Sequence, residues 1–342
     1  MTAALPAAAV VGLAGTQLSE DERALFRRLP PTGFILFARN VESPAQLRAL
    51  TGDLAALFPQ RRVPILVDQE GGRVMRLRPP SWPELPAAAA IGRLAATDPA
   101  GAGEAARRLG EVLGRELRAV GISVDCAPCL DVADPQTTPA IGDRAFAADP
   151  ELVGELGAAL IQGLRTSGVL PVIKHLPGHG RARVDSHRAL PVVTAGLDAL
   201  ISRDLVPFRR CRDAPLAMTA HIVYAAIDAD HPATHSGPVI ANVIRGAIGF
   251  AGILLSDDLG MAALSGDVGQ RAARAIAAGC DLALHCSGRL AETHAVLAAV
   301  PRLPEPTLAR LDDLLAEAAA RVAEPLPHEP ALARLERLLA RA

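Results

Sequence analysis

Lys174 to His187 reads KHLPGHGRARVDSH, with one Lys, three His (His175, His179, His187), Asp185 and two glycines around His179 in fourteen positions. It follows GVLPVI, Gly168 to Ile173, an apolar run with the character of a buried strand. Titratable groups packed this densely at a strand end point to a ligand rather than to packing. Glycine lets a backbone pass close to a ligand, and active residues gather on loops held by a rigid scaffold. In Asp185-Ser186-His187 a carboxylate two residues from a ring orients it and raises its basicity. Such a ring can serve as general acid and then as general base. Lys174 ends the strand and implies polar partners, because lysine is seldom buried without one. His175 reads as a ligand contact or as a satisfied core histidine. His179 reads as a donor that steadies the loop.

Two other stretches carry candidates. In ILLSDDLGM, Asp257 continues the phase of Ile253 and Leu255, so it is the one of the Asp257–Asp258 pair expected at a strand mouth. An ionised carboxylate there can attack an electrophilic carbon or stabilise a cation. The bland alternative is that one or both cap the next helix. In VDQEGGRVMRLR, Asp68 can accept from two hydroxyls, while Arg73, Arg76 and Arg78 supply forked donors, a way to grip a neutral polyol. Arg144, in IGDRAF, is a further loop donor.

Eight short apolar runs position these groups: residues 8–15, 33–37, 63–68, 121–127, 169–174, 216–221, 252–257 and 280–285. Continuous apolar runs suit strands covered on both faces. Between them lie amphipathic segments such as 99–119, 150–167 and 265–279. In the first, Leu109, Leu113 and Leu117 form one buried stripe, and Glu104–Arg108 and Glu111–Arg115 read as exposed (i, i+4) pairs. Eight strand–helix repeats predict a single-domain α/β fold of the (β/α)8 TIM-barrel type, whose chemistry sits at the C-terminal ends of the strands. Asp68, Asp131, Lys174–His175, His221, Asp257–Asp258 and His285 all fall there. A doubly wound sheet is the alternative, but its glycine fingerprint is missing after the first run. Residues 77–92 read as a proline-rich loop framing the site, and the segments from about 301 as helices packed on the barrel. The domain is thus expected to span residues 1–342.

Acids outnumber bases by 37 to 35, a formal charge of −2, and aromatics make up 3 % of the chain. Neither an electrostatic footprint for nucleic acid or anionic lipid nor a base-stacking platform is expected. Five scattered cysteines give no disulfide framework, and Cys126-x-x-Cys129 lacks a second pair or histidine at zinc spacing. The N-terminus has no basic n-region, and no run of 18 apolar residues stands out. The expectation is a cytoplasmic protein without membrane spans.

GFILFARNV (33–41), VDQEGGRVMR (67–76), APCLDV (127–132), IGDRAF (141–146), KHLPGHG (174–180), DSH (185–187), MTAHIVY (218–224) and LLSDDLGM (254–261) occur in this order. Together they resemble glycoside hydrolase family 3, specifically its bacterial β-N-acetylhexosaminidases of peptidoglycan recycling. One departure is Gly260, where serine is more usual. The resemblance implies a retaining exo-β-N-acetylglucosaminidase without metal or organic cofactor, acting as a monomer on 1,6-anhydro-N-acetylmuramic acid muropeptides. It implies Asp257 as nucleophile and His187 with Asp185 as acid/base. Asp68, Arg76, Arg144, Lys174 and His175 would hold the N-acetylglucosamine ring. A histidine acid departs from the usual pair of carboxylates, and it adds no second negative charge beside Asp257. Three alternatives stay open: cleavage assisted by the substrate's acetamido group, metal-dependent hydrolysis using His175, His179, Asp185 and His187, and a non-catalytic sugar-binding module.

Overall fold

The computed structural model describes residues 5–321 and 328–340. Eight parallel strands close into a barrel: β1 (Ala7–Gly12), β2 (Pro31–Leu36), β3 (Ile65–Val67), β4 (Val124–Asp125), β5 (Leu170–Leu176), β6 (Leu216–Thr219), β7 (Ile253–Asp258) and β8 (Leu282–His285). Each falls within or overlaps one of the eight apolar runs. β8 closes on β1 in the register Ala9↔Ala283, Val10↔Leu284, Val11↔His285. The fold is a (β/α)8 barrel.

Alternation along the strands divides the apolar residues into two layers. Ala8, Val10, Ile35, Leu66, Val124, Leu170, Val172, Leu216, Met218, Ile253, Leu255, Leu282 and Leu284 fill the barrel. Their neighbours Ala9, Val11, Phe34, Leu36, Ile65, Val67, Ile173, Ala217, Leu254 and Ala283 pack outward against the helices. This double burial is why the strands read as unbroken apolar runs.

The helices Pro99–Ala119 and Pro150–Thr166 start alike, with an Asp side chain (Asp98, Asp149) capping the first turn and Pro at its first position. They pack closely because glycines face each other. A Cβ on Gly110 would lie 2.3 Å from the Leu160 carbonyl oxygen, and one on Gly163 would lie 2.1 Å from that of Arg107. The stripe of Leu109, Leu113 and Leu117 is fully buried. Glu111 is not on the exposed side as expected. It is buried and accepts from Arg107 (2.6 Å) and Arg108 (2.8 Å). The helix turns this position towards Ser167, whose hydroxyl donates to the Glu111 carbonyl.

Residues 77–92 pack on the turn that follows β3, with Gly72 N–H donating to the Leu85 carbonyl at 2.8 Å. Leu77, Trp82 and Leu85 are buried in the outer core and pin this segment to the flank of the barrel. The opposite end is closed by the helix Glu305–Ala320, whose Leu311, Leu315 and Ala318 join the interior layer. The backbone reinforces this closure, with Ala8 N–H donating to Pro301 (2.9 Å) and Leu303 N–H to Pro6 (2.7 Å). The helix His328–Leu339 lies against Pro99–Ala119, where Arg334 pairs with Glu104 at 2.7 Å. Arg108 also approaches Glu104, at 3.7 Å.

Leu311 is therefore a floor residue far from the chemistry. Leu311→Ala should cost about 2–5 kcal/mol of unfolding free energy in urea titrations, with kcat and KM of the folded fraction unchanged.

Candidate active site

At the C-terminal mouth lies a cavity of about 360 Å³ lined by Ile35, Phe37, Asp68, Arg76, Arg144, Lys174, His175, Asp185, His187, Met218, Asp257, Asp258 and Leu284, among others. All eight residues singled out for catalysis or ring binding line this one space. They come from the ends of β3, β5 and β7 and from three loops, so the barrel brings together positions up to 189 residues apart in the chain (Asp68 to Asp257).

One wall is an ion network. Lys174 Nζ donates to Asp68 Oδ1 at 2.8 Å and meets Glu70 Oε1 at 2.6 Å. Arg76 reaches Asp68 Oδ2 at 3.1 Å. Arg144 grips Glu70 with two bonds, Nε at 2.9 Å and Nη2 at 2.8 Å. Burial alone would favour the neutral acids, but Lys174 and Arg76 hold Asp68 well below the usual carboxylate range, and Arg144 and Lys174 bring Glu70 down to about 2. Burial lowers the Lys174 ammonium, and the two carboxylates more than reverse that. A buried pair kept in this geometry is a fixed array of donors and acceptors rather than a source of net stability.

Asp131 organises the next stretch. Its carboxylate takes His175 Nδ1 at 2.7 Å, the His179 backbone N–H at 2.6 Å and the Cys129 thiol at 3.1 Å. Burial opposes ionisation, and His175 together with the His179 N–H keeps Asp131 below its ordinary value. His175 thus presents Nε2 towards the cavity, 3.4 Å from Arg144. His179 is buried and held down to about 4, chiefly by burial, which fits its reading as a neutral loop-steadying residue. The loop presses against the segment that follows β4, because a Cβ on Gly180 would stand 1.9 Å from the Val132 carbonyl oxygen.

Asp257 is in phase with the inward Ile253 and Leu255. Its Oδ1 accepts the Asp258 N–H at 2.8 Å. Burial raises this carboxyl, but His221, His175, that N–H and Lys174 together leave it below the ordinary value. Asp258 lines the cavity as well, yet its Oδ1 takes backbone N–H groups of Gly260 (2.9 Å) and Cys286 (3.0 Å). Neither aspartate caps the following helix, Val268–Ala278, which Asp267 caps. Across the mouth, Asp185 Oδ1 takes both the backbone N–H and Nδ1 of His187, each at 2.9 Å. That dyad is open to solvent, with the His187 side chain 67 % exposed.

Residues 8–323 match the glycosyl hydrolase family 3 N-terminal domain. The chain belongs to this family. A β-hexosaminidase of Alkalilimnicola ehrlichii is 44 % identical over 303 residues, covering 87 % of this chain and 84 % of that one. A β-hexosaminidase of Pseudomonas aeruginosa is 38 % identical over 314 residues, 91 % of each chain. The crystal structure of NagZ from Neisseria gonorrhoeae in complex with N-trifluoroacetyl-D-glucosamine fits with a TM-score of 0.87 at 34 % identity, covering 98 % of both chains. The family 3 enzyme is a glycoside hydrolase of the β-N-acetylhexosaminidase class with N-acetylglucosaminidase activity. The resemblance drawn from its motifs is the family found.

Sequence reasoning passed over Glu70 in this enzyme, one acid within a polar string, although it carries two of the cavity's cations. It also placed Arg73 and Arg78 among the gripping residues. Arg73 lines the cavity but spends its donors on Asp143 (2.7 Å) and on the carbonyls of Pro139, Ala140 and Ile141. Arg78 braces its own turn through the Met75 and Arg73 carbonyls. The four residues weighed as a metal set do not converge. Among the described residues the donors that do are Cys129, Asp131 and His175, within 4.8 Å of one another.

Because Glu70 is lowered from 4.5 to about 2 in the fold, its stabilisation is complete above the unfolded value and is lost as pH falls through the folded one. Glu70→Gln should therefore destabilise by roughly 3 kcal/mol at pH 7. The gap from wild type should narrow between pH 4.5 and about 2 in denaturant titrations across pH.

Proposed function

We propose that the enzyme is a retaining exo-β-N-acetylglucosaminidase that releases N-acetylglucosamine from 1,6-anhydro-N-acetylmuramic acid muropeptides. In this reading it serves cytoplasmic peptidoglycan recycling as a monomer, one catalytic unit over the whole chain, with no metal or organic cofactor. The observation that carries it is the pairing, in one cavity, of a shielded carboxylate biased towards ionisation with a solvent-open His–Asp dyad.

In the first step Asp257 attacks C1 of the bound sugar while His187 gives its proton to the leaving oxygen. In the second, His187 takes a proton from water as the water attacks C1 and frees Asp257. Asp185 engages Nδ1 of His187, which leaves Nε2 as the atom for both transfers and stabilises the imidazolium that donates in the first step and is restored in the second. Asp68, Arg76, Lys174, Arg144 and His175 offer the ring hydroxyls an alternating set of acceptors and donors, two of whose anchors are already fixed by Glu70. Phe37, Ile35, Met218 and Leu284 supply an apolar wall. Acetamido-assisted cleavage would call on a second carboxylate, and Oδ1 of Asp258 is committed to two backbone N–H groups.

Paired kinetics on two N-acetylglucosaminides, with good and poor leaving groups, test these roles. Asp257→Ala should abolish turnover of both, by roughly 10⁴-fold or more in kcat/KM. His187→Ala should slow the poor leaving group by about 10²–10⁴-fold and spare the good one in the glycosylation step. Equal slowing of both substrates by His187→Ala would show that it is not the acid.

A further inference from the structure

We infer that His221, with Thr234 behind it, is a positioning residue for the nucleophile: it fixes Asp258 so that the Asp258 N–H stays aimed at the Asp257 carboxylate. The inference rests on Asp257 being the nucleophile. His221 follows β6, is fully buried and does not line the cavity, so it cannot touch substrate. Its Nε2 lies 2.9 Å from the Asp258 carbonyl oxygen and its Nδ1 lies 2.7 Å from Thr234 Oγ1. A carbonyl can only accept, so Nε2 carries the proton. In the neutral ring Nδ1 is then the acceptor, and the Thr234 hydroxyl donates to it. Thr234 Oγ1 in turn accepts from Thr219, at 2.8 Å. The Ala220 carbonyl, 3.1 Å from the same Thr234 oxygen, is a longer competing acceptor for its proton.

The chain Thr219–Thr234–His221 thus selects one tautomer without any charged group in it. Burial acts in the same sense, holding His221 below its ordinary value and so neutral. The anchored residue is also held from its other side. Asp258 Oδ1 is fastened by Gly260 and Cys286 N–H, with buried His285 Nδ1 3.9 Å away. With its carbonyl and carboxylate both tied, Asp258 has little freedom to rotate, and its N–H keeps the 2.8 Å bond to Asp257 Oδ1. That bond stabilises the ionised carboxylate and leaves Oδ2 for attack. The charged or titratable groups facing Asp257 are His221 after β6, His175 and Lys174 from β5, His179 from the loop after it, Asp258 from β7 and Cys286 after β8.

The test compares His221→Gln, His221→Leu and Thr234→Val in the full chain, using a good-leaving-group N-acetylglucosaminide. Gln can still donate to the Asp258 carbonyl, and Val removes the donor to Nδ1 together with the acceptor for Thr219. His221→Leu should lower kcat by about 10²-fold with KM within about twofold, and should move the acid limb of kcat/KM to higher pH. His221→Gln should recover most of that loss, and Thr234→Val should lower kcat by about 5–10-fold with the same direction of shift. A Thr234→Val enzyme with wild-type kcat and acid limb overturns the proposal, whether or not His221→Leu folds. So does a folded His221→Leu enzyme whose loss lies in KM alone. Asp257→Ala is assayed alongside: if it keeps turnover, the nucleophile assignment itself fails, which is a different result.

Discussion

A single buried ammonium holds the binding wall together. Lys174 is the only lysine in the chain, every other basic side chain outside histidine being arginine. Its Nζ stands between Asp68 and Glu70, at 2.8 and 2.6 Å. An ammonium has three N–H groups on one compact atom. Two are used here, which leaves the third for a ligand. A guanidinium is planar and forked, and could not meet two carboxylates from the same point. Without that charge, Asp68 and Glu70 would be two buried like charges side by side, and one would take up a proton. Arg76 or Arg144 would then lose its charged acceptor. Counted together, Lys174, Arg144 and Arg76 balance Asp68, Glu70 and Asp257, a neutral wall suited to an uncharged sugar ring.

The barrel divides the chemistry by environment. Asp257 is half-buried on β7 among groups that keep it ionised, whereas the Asp185–His187 dyad sits on a loop in contact with solvent. In the proposed mechanism the nucleophile gains from shielding, since water competes for its lone pairs and for C1. An acid that must give a proton and later regain one needs an exchange route. Placing the first on a strand and the second on a loop meets both needs within one mouth.

Much of this was legible in the chain. The eight apolar runs mark the strands because both faces of a parallel barrel strand are buried, which leaves the sequence no polar face to interrupt them. The end of each run then marks the mouth, and Asp68, Lys174, His175 and Asp257 follow from that alone. Arg76, Arg144, Asp185 and His187 lie on loops, and it was the ordered family motifs that tied them to the same space. What escaped notice depends on contacts between distant segments. Glu70 looks like an ordinary turn acid until Arg144, 74 residues on, closes over it. Glu111 fits an exposed (i, i+4) pattern until its helix packs and turns it inward. Asp258 is indistinguishable from a helix cap until Cys286 from the neighbouring strand end claims its carboxylate. Arg73 carries the same forked donor as Arg76, and only the position of the 139–143 loop separates a brace from a binding group.

The central claim is that the carboxylate of Asp257 forms the bond to C1. A fluorinated N-acetylglucosaminyl donor that slows release of the intermediate, followed by proteolysis and mass mapping, reads this directly. The account predicts one sugar adduct per chain, on the peptide containing Asp257, absent from Asp257→Ala. An adduct on another carboxylate, or turnover of the donor with no protein adduct at any time, would contradict it.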